Sequence, residues 1–131
     1  MLARYLYLSI ITLFIGLTLS CNKKPQAGPG GNASLKVRAK HHGTLIDSAK
    51  IHIKYNSMEA VSLSEYDAVQ AITNFDTGDS YTIFSGLKKG EYYLYGEGWD
   101  PSIFSNVKGG LPFKIDEEKE YEIIVAVTEQ H

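Results

Sequence analysis

A single cysteine, Cys21, occurs in the chain, so no internal disulfide can staple the fold. Long apolar runs are also missing: the one hydrophobic stretch, Leu6 to Leu19, is shorter than the roughly 20 residues that a membrane-spanning helix needs. Neither sign of charge is in excess. Thirteen basic and fifteen acidic residues leave a net charge of −2, without the uncompensated basic face of strong nucleic-acid binders, and no nucleic-acid partner is expected. No Gly-x-Ser-x-Gly elbow and no phosphate-cradling glycine loop occurs, so the chain is read as having no enzymatic activity and no cofactor.

What is present begins with an export pattern. Arg4 stands in a short leading segment and the apolar run follows, which reads as a signal peptide over residues 1–20. The run closes on Leu17-Thr18-Leu19-Ser20-Cys21. This resembles the lipobox of bacterial lipoproteins, where a small residue precedes the cysteine that receives the lipid, although Thr18 stands where Leu is usual. The resemblance implies a diacylglyceryl group on Cys21, and acylation would leave no free thiol. Residues 21–33 hold Pro and Gly but almost no apolar side chain, so they read as a flexible tether. At about 3.3 Å per residue such a tether reaches tens of ångströms. Directly after Cys21, Asn22-Lys23-Lys24 lacks the acidic cluster of a surface-export signal, which favours the periplasmic side of the envelope over the cell surface.

From residue 34 to 131 the pattern is that of one β domain. Leu35-Lys36-Val37-Arg38-Ala39-Lys40 alternates with period two, as does Ala49 to Tyr55, and each predicts a half-buried strand. The two are expected to share a basic face of Lys36, Arg38, Lys40, Lys50, His52 and Lys54. Tyr81 to Leu87 and Glu91 to Tyr95 flank Lys88-Lys89-Gly90 and predict a hairpin-like pair, with Tyr92 and Leu94 on one face and Tyr93 and Tyr95 on the other. Gly96 to Pro101 and Gly109 to Pro112 read as breaks. Lys119 to Thr128 is a closing strand with Tyr121, Ile123, Val125 and Val127 inward. Between Asn56 and Asp79 two readings stand: a short helix over Ser64 to Ala71 capped at Ser62 or Ser64, or a strand over Val69 to Thr73. Together these predict an all-β, Ig-like antiparallel sandwich of about seven strands.

Gly43, Ala49-Lys50-Ile51, Phe84-Ser85-Gly86-Leu87, Gly90-Glu91-Tyr92-Tyr93-Leu94 and Gly98-Trp99 resemble the turn and packing positions of carboxypeptidase regulatory-like, transthyretin-like domains. The likeness covers about Ser34 to Thr128. It departs at Thr82, where an aromatic is usual, and at the long 56–79 segment. Small Bacteroidetes-type envelope lipoproteins share the layout of signal, cysteine, linker and single sandwich. The resemblance implies a non-catalytic binding or accessory module with an envelope protein or glycan as partner. The transthyretin-like 5-hydroxyisourate hydrolases end in Tyr-Arg-Gly-Ser, whereas this chain ends Val127-Thr128-Glu129-Gln130-His131.

Three groups of residues are candidates for a site. His41 and His42, with His52 and His131 elsewhere, offer imidazoles to zinc or copper, but a site needs three or four convergent ligands; solvated turn histidines are the simpler account. Asn74, Asp76 and Asp79 offer oxygens to calcium without the full loop spacing, and such residues also simply make turns. Tyr93, Tyr95, Trp99 and Phe104 could form a platform for a sugar ring. The plainer alternative makes Tyr93 and Tyr95 cross-strand packing residues and has Trp99 plug the end of the sandwich.

Overall fold

The computed structural model describes residues 21–130, so the expected signal peptide and His131 lie outside the described residues. In chain order the strands are β1 (Pro29–His41), β2 (Thr44–Leu45), β3 (Lys50–Tyr55), β4 (Ala68–Ala71), β5 (Asn74–Asp76), β6 (Asp79–Leu87), β7 (Gly90–Asp100), β8 (Ser105–Ile115), β9 (Glu120–Ala126) and β10 (Thr128–Glu129). One sheet runs β2-β1-β6-β5 with β9 also on β1, and the other runs β10-β8-β7-β3-β4. The all-β sandwich is as expected. The ten strands among the described residues exceed the seven or so anticipated because β2, β4, β5 and β10 are each four residues or shorter.

Strand β1 organises the first sheet. Its inward residues Ala33, Leu35, Val37 and Ala39 are wholly buried, as the alternation requires. Along one edge it pairs antiparallel with β6 and then β2; along the other it pairs with β9 in parallel, from Ser34 opposite Glu120 to Lys40 opposite Ala126. Ile51 and Ile53 of β3, Tyr92 and Leu94 of β7, and Val125 and Val127 close the core from the other strands.

Two expectations are corrected by the connections. Strands β1 and β3 belong to different sheets, because the chain crosses over between Ile46 and Ala49, so Lys36, Arg38 and Lys40 do not share a face with Lys50, His52 and Lys54. The charges on β1 are met by acids instead: Arg38 holds Asp79 through Nε at 2.6 Å and Nη2 at 2.8 Å, and approaches Glu122 at 3.4 Å. Similarly β6 and β7 are no hairpin. Lys88 and Lys89 form an arch from one sheet to the other, with Gly86 at φ +68° and Gly90 at φ +147° on its two sides.

The predicted break at residues 109–112 is absent and that at 96–101 comes only at Pro101, where the turn begins, so β7 and β8 form one long hairpin paired from Gly90–Ile115 to Asp100–Ser105. Glycine serves here for close approach rather than for turning. A β-carbon on Gly98 would lie 2.8 Å from Ile46 Cγ2 and 3.0 Å from Ala49 Cα.

Order also starts earlier than the composition suggested. Ala27 and Gly28 are buried and β1 begins at Pro29, so much of the 21–33 segment is part of the domain. The Tyr92 hydroxyl explains the docking: it accepts from the Gly28 N–H at 2.9 Å and donates to the Lys88 carbonyl at 2.7 Å. The Lys88 N–H in turn donates to the Gly28 carbonyl at 2.8 Å.

In the 56–79 segment the strand reading prevails. One 3₁₀ turn, Leu63–Glu65, starts at Ser62, whose N–H donates to the Glu65 carboxylate at 3.0 Å. Asp67 then stops the helix: its carboxylate accepts from the Tyr55 N–H and its own N–H donates to the Ile53 carbonyl, which launches β4 along β3.

Candidate functional site

At one end of the sandwich the apolar phase of three strands runs out into polar residues. His41 follows Leu35, Val37 and Ala39 in the inward phase of β1; Asp100 follows Tyr92 and Leu94 in β7; Glu129 continues the phase of Val125 and Val127. The three meet across the two sheets. His41 Nδ1 lies 2.7 Å from Asp100 Oδ2, and His41 Nε2 lies 2.7 Å from Glu129 Oε2. His41 and Asp100 are buried, whereas the Glu129 side chain keeps 31% of its exposure.

The charge state follows from donors and acceptors. Ionised carboxylates only accept, so an imidazole bonded to two of them must donate from both nitrogens and carry a positive charge. The His41 pKa is accordingly raised, chiefly by the bond to Asp100 and further by Glu129, against the opposing effect of burial. Asp100 is lowered, first by the Ser102 hydroxyl and then by His41. Ser102 donates twice to Asp100 Oδ1, from Oγ at 2.6 Å and from N–H at 2.8 Å, which leaves Oδ2 for the histidine. Glu129 is lowered by its own backbone N–H and then by His41.

His42 joins this group through the turn. At φ +44°, beside Gly43 at φ +82°, it occupies the left-handed region that a two-residue hairpin turn requires. Its ring centroid stands 4.2 Å from that of His41. Among the described His, Cys, Asp and Glu side chains, His41, His42 and Glu129 are the group whose ligand atoms all lie within 4.8 Å of one another. His52 is elsewhere, bonded to Glu97 at 3.1 Å on the outer face of the second sheet. The calcium candidates have other partners: Asp79 is held by Arg38, which with Lys36 lowers its pKa to about 2, and Asp76 accepts from the Tyr81 hydroxyl at 3.1 Å.

The aromatic candidates do lie together. Tyr93, Tyr95 and Trp99 occupy the outward phase of β7, with Glu97 between them. Tyr95 stacks on Tyr66 with centroids 5.8 Å apart, and Tyr93 covers Gly110, where a β-carbon would lie 2.7 Å from the tyrosine hydroxyl. These two pack chiefly against their own sheet. Trp99 does not plug the sandwich, because its position has outward parity; it is 43% exposed. It walls an open groove of about 770 Å³ with Ser48, Lys50, Glu97, Asn106 and Lys108. Phe104, at the tip of the β7–β8 turn, is 81% exposed.

Cys21 is exposed, and so is every residue from 21 to 26. Sequence reasoning singled out His41 and His42 but not Asp100 or Glu129. The available signal was phase: Glu129 is one step beyond Val125 and Val127, and Asp100 keeps the parity of Tyr92 and Leu94 across Gly96 and Gly98. No family model, curated protein or solved structure matches the chain.

Proposed function

We propose that the protein is a lipoprotein of the bacterial cell envelope, anchored by a diacylglyceryl group on Cys21, whose sandwich binds or supports an envelope partner without chemistry of its own. The observation that carries this is the apolar run that ends on Ser20-Cys21, followed by an exposed leash over residues 21–26. Acyl chains contribute about 0.8 kcal/mol per buried CH₂, and two of them anchor stably. The sandwich is taken as a carboxypeptidase regulatory-like, transthyretin-like module. Its support is the position of Gly86 and Gly90 at positive φ around the arch and of Tyr92 in the core.

Six exposed residues can reach at most about 20 Å when fully extended, so the docked start of β1 would lie close to a membrane, on the side facing the periplasm. From Ala33, where the pairing of β1 becomes regular, the strand runs about 26 Å at 3.3 Å per residue to His41. The end with His41, Trp99 and Phe104 is therefore the end presented away from the lipid.

Labelling cells with an alkyne fatty acid tests the anchor. Wild-type protein should carry the label, with an intact mass that starts at a diacylated Cys21, and Cys21→Ser should carry none. A mature protein that retains residues 1–20 without acyl groups would refute the proposal. A second reading, a carbohydrate-binding module, is favoured by the Trp99 groove, in which an exposed indole stands beside hydrogen-bonding Ser48 and Asn106 and charged Lys50, Glu97 and Lys108.

A further inference from the structure

We infer that the distal end of the sandwich is a binding site for a zinc-class divalent ion, ligated by His41 Nε2, His42 and Glu129, with Asp100 as the positioning residue. This goes beyond the anchored-module proposal and does not depend on it.

Four observations converge. First, ligand atoms of these three residues lie within 4.8 Å of one another, and two imidazoles with one carboxylate are a donor set that suits zinc. Second, the His41 ring is already oriented. Asp100 Oδ2 takes Nδ1 at 2.7 Å and is itself held in place because Ser102 occupies Oδ1 twice. In metal sites a ligating histidine almost always gives its other nitrogen to such a partner, which sets the tautomer and aims the free nitrogen at the ion. Here Nε2 is aimed at Glu129.

Third, His42 does not drift on a loop. The tight turn at φ +44° and +82° between β1 and β2 holds it with its ring 4.2 Å from that of His41. Fourth, the site has an opening. His42 is exposed and Glu129 is 31% exposed, so an ion can reach the buried Nε2 from the solvent side.

The required adjustment is small. Zinc bonds of about 2.0–2.1 Å in a tetrahedral arrangement place neighbouring ligand atoms roughly 3.3 Å apart. His41 Nε2 and Glu129 Oε2 now stand 2.7 Å apart, a hydrogen-bond distance. Glu129 lies on a strand of only two residues, β10, so a modest movement of its side chain makes room. The ion would replace the proton shared by this pair, which leaves to solvent. Three protein ligands leave a fourth position for water or for a group brought by a partner.

Calorimetric titration of Zn²⁺ into the full mature protein, purified without a histidine tag and stripped of metal, tests the site. The expected result is saturable binding of one ion per chain. His42→Ala and Glu129→Gln, both at partly or fully exposed side chains, should each weaken it by at least about tenfold, and Asp100→Asn by about 10- to 100-fold. His131→Ala should leave it unchanged. Circular dichroism of His42→Ala confirms that the fold persists, and Co²⁺ substituted for Zn²⁺ should give the visible absorption of a tetrahedral site in wild type and lose it in this variant. Absence of saturable binding, or binding that His42→Ala and Glu129→Gln leave intact while His131→Ala abolishes it, overturns the inference. Acyl labelling at Cys21 reads out the anchor separately.

Discussion

Tyr92→Phe isolates a single hydroxyl that ties the leash to the domain. The ring is wholly buried and meets Tyr55 edge-on at 5.8 Å, and phenylalanine preserves that packing. What is lost is one acceptor for the Gly28 N–H at 2.9 Å and one donor to the Lys88 carbonyl at 2.7 Å. Each such bond contributes about 1 kcal/mol net, and a buried N–H left without a partner costs a further ~1–3 kcal/mol. The Lys88 carbonyl is nearer solvent and can find water, so the total is expected at roughly 2–4 kcal/mol. For a domain of this size that lowers Tm on the order of 10–20 °C, since ~1 kcal/mol corresponds to about 4–8 °C. Differential scanning calorimetry measures the shift, and hydrogen exchange should show the Gly28 amide losing its protection first. A Tm within about 2 °C of wild type, or unchanged Gly28 exchange, would mean that the leash is held by something other than Tyr92 and that the docking argument is wrong.

Asp79→Asn tests the Arg38 pair through its pH dependence. The Asp79 carboxyl is lowered from 3.8 to about 2, chiefly by the hydrogen bonds from Arg38, so the unfolded chain binds more protons in that interval and stability must rise with pH there. The contribution is fully present above 3.8 and disappears as the pH falls toward about 2. Thermal melts across that window should be flatter for the variant, and parallel curves would count against the pair. For the carbohydrate reading, Trp99→Ala should weaken any glycan found on an array by about 2 kcal/mol, a factor of roughly 30. Unchanged affinity would remove the groove from consideration.

Much of the fold was legible in the residues. Period-two alternation is a local property of extended backbone; it identified the inward residues of β1, β3 and β9 and separated the two faces of β7. Glycine was the main source of error. A glycine in sequence reads as punctuation, but Gly98 and Gly110 sit mid-strand because another part of the molecule comes too close for a β-carbon. That neighbour is invisible until the sheets are stacked. Composition misled in the same way at residues 27–33, where small residues suggested a tether and the Tyr92 hydroxyl instead draws Gly28 into the structure.

What the sequence determined by itself was the alternation of faces along β1, β3, β7 and β9 and the plan of apolar run, cysteine and β domain. Tertiary structure alone decided which sheet each strand joins, because alternation specifies an inward side but carries no information about the partner across it. The arch at residues 88–89 therefore reads as the turn of a hairpin, and the crossover at 46–49 leaves no mark on the expected shared face. The same physics governs the candidate site. His41 lies 59 residues from Asp100 and 88 from Glu129. Each keeps the inward phase of the apolar residues before it, and only the stacking of two sheets over one core brings those three positions to a single point.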